Sequence, residues 1–214
     1  MRIDIWSDVR CPFCYIGKKK FEKALENFAH KSEVEVVWKS FQLDPQLKTQ
    51  TGTTTIEYFM QTKNISENQT RQMFSHAQNM ATDEGLNLDL ENSIVANSFN
   101  AHRLIQFSKT KNLASEIEEA LFQAHFSEMK NIDDLETLLE LGVSAGLEKE
   151  ELKKILFSDE FSYEVKQDEM EAQNIGVSGV PFFVFDGKYA VSGAQPTSTF
   201  LEILEKTWNE ENKN

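Results

Sequence analysis

The sequence is poor in the features that would tie it to a nucleic acid, a membrane or a disulfide-stapled scaffold. Positive charge is scarce, with 22 Lys plus Arg against 35 Asp plus Glu and a formal net charge of -13. Nucleic-acid binding draws its affinity from clustered basic side chains that neutralise phosphates, so no nucleic-acid partner is expected. The acidity serves solubility. No run approaches the ~18 uninterrupted apolar residues that would span a bilayer, so no membrane partner is expected either. The opening Met1-Arg2-Ile3-Asp4-Ile5-Trp6 carries charges at positions 2 and 4 and offers no signal-peptide core, from which a cytoplasmic location is expected. Internal repeats and low-complexity tracts are missing, apart from the polar end Asn209 to Asn214, which is expected to fray. Cysteine is nearly absent, with two in 214 residues.

What is present suits a folded protein. Hydrophobic residues make up 40% and charged residues 27%, an ordinary balance for a globular chain. The length suggests one domain with a large insertion, or two small ones. Residues 2 to 6 read as a strand, helical spacing follows from Pro12 through Phe13, Ile16, Phe21, Leu25 and Phe28, and Val34 to Trp38 supplies a β-branched strand. The opening is therefore a βαβ unit if the strands are parallel. From about residue 55 to 175 helical periodicity dominates. Helices are expected at 55 to 63, 67 to 84, 92 to 110, 113 to 127, 133 to 145, and 148 to 175 with an interruption near Ser158. Asn92-Ser93 and Asn131 to Asp134 are expected caps, and Gly85, Gly142 and Gly146 expected stops or weak points. Strands return at Val180 to Phe185 and Tyr189 to Ser192 around the hairpin signal Asp186-Gly187. Pro196 opens a last helix with Phe200, Leu201, Leu204 and Trp208 on one face.

The two cysteines are separated by Pro12 and Phe13 alone. Disulfide exchange needs one thiolate that attacks and a second thiol close enough to resolve the mixed disulfide, and Cys11-Pro12-Phe13-Cys14 after a strand and at a helix start meets both needs. Cys11 at the helix N-terminus sits where unpaired N-H groups and the helix dipole favour a charged sulfur. Cys14, one turn further in, is the expected resolving thiol. The rival reading is half of a zinc site. A closed zinc site wants about four ligands, however, and His30, His76, His102 and His125 form no ligand-spaced pair, so redox chemistry is favoured and no metal is expected.

Trp6-Ser7-Asp8, Cys11-Pro12-Phe13-Cys14-Tyr15-Ile16-Gly17, Gly176-Val177-Ser178-Gly179-Val180-Pro181 and Ser192-Gly193-Ala194-Gln195 together resemble the FrnE-like branch of the DsbA family. The resemblance implies an α/β thioredoxin fold with a large inserted all-helical domain. The thioredoxin-like part would take residues 1-44 and 176-214 and the helical insertion 45-175, whose last helix is expected to return to the thioredoxin domain. It implies a thiol-disulfide oxidoreductase acting on protein or peptide thiols and disulfides, with no bound cofactor and with glutathione a candidate co-substrate. By the same resemblance Pro181 is a cis-proline facing the cysteines, Val180 offers its backbone to an extended substrate, and Pro12 and Phe13 tune the redox poise. Many FrnE-like proteins carry tryptophan where this chain has Phe13.

Other residues are weaker candidates. His102, in Asn97 to Leu104, is read first as a surface or boundary histidine and second as a substrate contact. The remaining histidines are expected in ordinary structural roles. Gly193 and Ala194 could offer N-H groups to a carboxylate, as in the glutathione site of kappa-class transferases, against the plainer reading of a turn and helix start. Lys18, Lys19 and Lys20 read as a solvated helix face. Phe59, Met60, Met73, Phe74, Met80, Phe99, Phe107, Phe122 and Phe126 read as core before a groove for unfolded chains. Asp4, in a strand covered on both faces, needs a partner that the sequence does not name. Two other functions stay open: a glutathione-dependent isomerase or transferase of the 2-hydroxychromene-2-carboxylate isomerase or kappa-class type, and a redox-switched holdase or binding module.

Overall fold

The structure, a computed structural model, describes residues 1–212. Its sheet is built from the two ends of the chain. Strand β1 (Arg2–Ser7) leads into helix α1 (Pro12–Asn27) and then β2 (Glu35–Ser40), which pairs parallel to β1. After a long helical block the chain returns as the hairpin β3 (Phe182–Phe185) and β4 (Tyr189–Ser192), with β3 antiparallel to β1, so that the order across the four-stranded sheet is β2-β1-β3-β4. Asp186 and Gly187 both have positive φ, 48° and 64°, the pairing that a tight two-residue hairpin turn demands.

Alternation along the strands assigns the two faces. Ile3 and Ile5 lie opposite Phe185 and Phe183. These four are fully buried under Phe21 of α1 and Phe200 of the last helix, α9 (Thr197–Glu211). On the other face Trp6, Phe182 and Val184 pack against Ala172 of helix α8 (Ser162–Asn174) and Val177, and the Trp6 indole N-H donates to the Asp168 carbonyl at 3.0 Å. Asp4 shares this second face, and its partner is Arg2, at 2.7 Å. Helix α9 runs through Glu211, so the expected fraying does not begin at Asn209; residues 213 and 214 lie outside those described.

Between the sheet's halves run α2 (Thr55–Lys63), α3 (Glu67–Asp83), α4 (Phe99–Lys109), α5 (Ala114–Phe126), α6 (Leu135–Ser144), α7 (Lys149–Leu156) and α8. Helices α2 and α3 start where their periodicity places them, and α6 starts just after its expected cap region. Thr54 and Ser66 form reciprocal capping boxes with Glu57 and Gln69, and Asp134 caps α6. The interruption near Ser158 is held by buried Arg103 of α4, which donates to the carbonyls of Ile155, Ser158 and Glu160.

Two expectations fail. The helix expected from residue 92 begins only at Phe99. The segment before it is held extended instead: Gln50 N-H donates to Val95 O at 2.8 Å, Thr55 Oγ1 to Ser93 O at 2.6 Å, and Asn97 Nδ2 to Leu47 O at 2.7 Å. Those cross-chain bonds outweigh the local helical periodicity, and Asn97, not Asn92 or Ser93, receives the first helical N-H, from Phe99 at 2.7 Å. Gly142 is likewise not a stop. It lies inside α6, where a Cβ would collide with the Leu152 side chain, so its smallness lets α7 pack closely.

Candidate functional site

The site forms where the end of β1, the start of α1 and the start of β3 meet the helical block. Cys11 is the N-cap of α1, with Pro12 at the first helical position, where its missing N-H leaves no bond unmade. The Cys11 N-H donates to Asp8 O at 2.8 Å and the Cys14 N-H to Cys11 O at 3.0 Å, so a tight turn fixes both cysteines. Both thiols are free. Cys11 caps the helix with its backbone alone, leaving its sulfur at the positive end of the helix and 3.6 Å from Val180 O. The Val180–Pro181 peptide is cis, and Gly17 lets α1 approach it: a Cβ on Gly17 would stand 2.9 Å from Pro181 Cγ.

Cys14 points inward. Burial pushes its thiol well up, Cys11 beside it and the Asp8 carboxylate push the same way, and a backbone contact from Asp8 opposes them. Protonated Cys14 beside Cys11 at a helix end is the asymmetry that a nucleophile and a resolving thiol require.

Behind the pair lies a buried polar cluster. The Asp8 carboxylate is fully buried, accepts from the Leu43 N-H at 2.8 Å and the Arg10 N-H at 3.1 Å, and stands 3.6 Å from His102 Nε2. Burial alone would raise the Asp8 carboxyl, but His102 and then Arg10 outweigh it and hold it below the ordinary value. The reverse holds for His102, where burial opposes the charge and Asp8, with lesser help from Glu118 and Glu169, keeps the imidazole above its usual value. Glu118 accepts from Ser7 Oγ at 2.6 Å and is raised by its burial. His102 is therefore not a surface histidine, and it does not line the cavity that faces Cys11. The helical segment containing it packs inward at nearly every position.

In front of the pair is a cavity of about 510 Å³ between the cysteine turn and the helical block. Cys11, Pro12, Phe13 and Val180 form one wall, while Phe59, Met73, Phe74 and Phe126 belong to the opposite one. Of the aromatic and Met side chains expected in the core, Phe74, Phe107, Phe122 and Phe126 are core, with Phe74 and Phe126 also facing the cavity, while Phe59 and Met73 are partly buried against that core. His125, read as an ordinary structural histidine, also lines the cavity. Burial and then the Arg10 guanidinium push its imidazole down to about 3.

Other candidates move. Lys18 is buried, not solvated, and with Lys19 it converges on Glu119 at 2.6 and 2.8 Å, while Tyr15 donates to the same carboxylate at 2.7 Å. Burial would raise Glu119, but Lys18 and Lys19 outweigh it and lower it to about 2. Lys20 reaches Ala194 O at 3.5 Å. The Gly193 N-H is engaged by Pro181 O at 2.8 Å and the Gln195 N-H by Gly193 O at 2.9 Å, which leaves Ala194 alone of the three to offer a donor there. Asp8 and Arg10, absent from the sequence-based candidates, flank the turn before Cys11, and their place beside the cysteines was the available signal. Nothing in the sequence around His125 marks it.

The family model described as DSBA-like thioredoxin domain matches residues 2–205. The chain is similar to the crystal structure of a probable DsbA oxidoreductase from Streptomyces coelicolor, with 36% identity, a TM-score of 0.91, and coverage of 98% of this chain and 91% of that one. Its fold is also that of a 2-hydroxychromene-2-carboxylate isomerase, with 14% identity, a TM-score of 0.72, and coverage of 100% and 98%. The uncharacterised protein YwbO of Bacillus subtilis is 27% identical over 210 residues, 95% of this chain and 96% of that protein. Among the described residues no helix is long and apolar enough to cross a membrane.

Proposed function

The chain belongs to the family of DSBA-like thioredoxin domains, and from that premise we propose that it is a thiol-disulfide oxidoreductase whose Cys11 and Cys14 reduce or isomerise disulfides. The observation that carries the reading is the pair's asymmetry: Cys11 caps α1 in the cavity wall, and Cys14 is buried behind it and held protonated. Cys11, as the thiolate, attacks one sulfur of a substrate disulfide and expels the other as a thiolate. Cys14 then gives up its proton and attacks Cys11 Sγ, which releases the second substrate thiol and leaves Cys11–Cys14 oxidised. Two electrons pass to the substrate, and an external thiol such as glutathione, acting as co-substrate, restores the dithiol.

Val180, whose carbonyl faces the Cys11 sulfur, would align an extended substrate with Pro181. In a reducing compartment such as the cytoplasm, net oxidation is disfavoured and the reductive or isomerising direction is favoured. The test is turnover of insulin and of a scrambled disulfide substrate, with Cys11→Ser as the control. Loss of turnover is expected, and undiminished turnover would overturn the assignment. The equilibrium potential against a glutathione series then sets the direction. A value near about -270 mV marks a reductant and one near about -120 mV an oxidant.

A further inference from the structure

The cavity in front of Cys11 has a composition that a site for extended polypeptide alone does not require. Its volume, about 510 Å³, falls within the ~300 to 1,000 Å³ common for small-molecule sites. Its depth is apolar, with Phe59, Met73, Phe74, Leu90, Ile94 and Phe126 in the wall. Polar groups line it too, and most are engaged: Thr55 donates to Ser93, and Asp44, in the wall with Lys63, accepts from Tyr58, whereas the Arg10 guanidinium and one nitrogen of His125 are left over. The Arg10 guanidinium lies over the Tyr58 ring, 5.5 Å from its centroid. It makes no ion pair among the described residues: Asp8 receives the Arg10 backbone N-H, and Asp44 receives the Tyr58 hydroxyl at 2.9 Å. His125 lines the same cavity, buried, with Nδ1 lacking a hydrogen-bond partner. A guanidinium held in no ion pair among the described residues and a histidine with a spare ring nitrogen border the Cys11 sulfur and an apolar chamber.

We propose that the cavity binds a low-molecular-weight apolar carboxylate carrying a thiol or disulfide, with its carboxylate on Arg10 and its apolar body among the α2 and α3 side chains. This rests on the oxidoreductase reading for its chemistry and adds the substrate class. The step balances as for any disulfide: Cys11 forms a mixed disulfide with one half of the ligand and expels the other half as a thiolate. Cys14 then displaces the bound half as a second thiolate, and two electrons leave the protein's dithiol. A thiol reductant regenerates the pair.

Three probes separate the contributions in single-turnover kinetics of the reduced protein. Dithiobis(nitrobenzoate) is aromatic and carries carboxylates, dithiodipyridine is aromatic without them, and hydroxyethyl disulfide has neither feature. The ratio of the first two rate constants is expected to fall about tenfold in Arg10→Gln, the loss of one charge-assisted contact, and to recover in part in Arg10→Lys. Ala77→Phe, which fills the chamber from α3, is expected to lower the rate of both aromatic probes relative to hydroxyethyl disulfide. The wild type supplies a measurement that does not depend on how that variant folds. Naphthoate should slow alkylation of Cys11 by iodoacetamide in a saturable manner, and acetate should not.

If the substitutions change all three probes in proportion and naphthoate gives no protection, the cavity assignment falls while disulfide reduction stands. If insulin turnover drops as steeply as the aromatic probes in Ala77→Phe, the chamber serves a protein side chain, and the small-molecule assignment is overturned. If no disulfide is reduced yet naphthoate protects, the oxidoreductase reading fails and the binding site survives.

Discussion

The two sides of the cysteine pair share helix α5 and behave as opposites. In front, toward the cavity, His125 is buried beside a cation and its imidazole is driven down to about 3. Behind, His102 is equally buried, but it faces Asp8 at 3.6 Å with Glu118 and Glu169 beyond, and its imidazole is held above the ordinary value. Burial disfavours the charge on both. The sign of the nearest neighbour decides between them. A thiol pair placed at this boundary has an apolar side from which a substrate sulfur can approach and a polar side that fixes the turn carrying Cys11.

The largest expected effect comes from breaking the polar side. Asp8→Asn leaves His102 without its counter-charge in the interior and should cost about 3 kcal/mol or more, since removing one partner of a buried pair strands the other. Chemical denaturation measures it, and the double variant Asp8→Asn/His102→Gln should recover part of the loss. A result within experimental error of the wild type would show that the 3.6 Å pair carries no charge.

The front side should announce itself in acid. With a folded value of about 3 against an ordinary 6.5, His125 binds a proton in the unfolded chain before it does so in the folded one. Its contribution to stability is therefore present above about pH 6.5 and lost progressively as the pH falls toward 3, amounting to a few kcal/mol. His125→Gln should flatten this limb of the stability curve. His102 has the opposite sign: its raised value contributes fully below about pH 6.5 and is lost as the pH rises through the folded value. Paired pH series of the two single variants should thus diverge, and parallel curves would erase the distinction between the sides.

A smaller effect is expected at the joint. Gly17→Ala puts a methyl 2.9 Å from Pro181 Cγ, and relief of that contact must shift α1 or β3, at a cost of about 1 to 3 kcal/mol. The rate of disulfide turnover should fall with it, which steady-state insulin reduction can follow. The smallest effect is expected from Glu118→Gln. Glu118 is raised by burial and already accepts the Ser7 hydroxyl, so the neutral amide should change stability at neutral pH by less than about 1 kcal/mol. Because a raised carboxyl favours the folded chain at low pH and loses that contribution as the pH rises through its folded value, the variant should be relatively better off at high pH.

Much of the fold was legible in local pattern. The strand and helix pattern of the β1–α1–β2 opening, the Asp186-Gly187 turn and the starts of α2 and α3 all rest on patterns within a few residues, and those the chain writes directly. The segment from 92 to 98 was misread because its conformation is set by partners at 47 to 55, which periodicity does not register. Lys18 looked like one of a run of surface lysines; its burial follows from Glu119, a hundred residues on. The surroundings of His102 and His125 in the chain singled out His102, whereas it is His125 that lines the cavity.

The sequence by itself determined the fold family and the place of the cysteine pair at the start of α1, because the spacing of two thiols and their position on a helix are local properties. Only the tertiary structure decided what surrounds the pair: which carboxylate stands behind Cys14, which cation borders the cavity, which aromatic side chains face it. Those are matters of distance and burial between segments far apart in the chain, and Coulomb forces and desolvation act on that proximity regardless of order along the backbone.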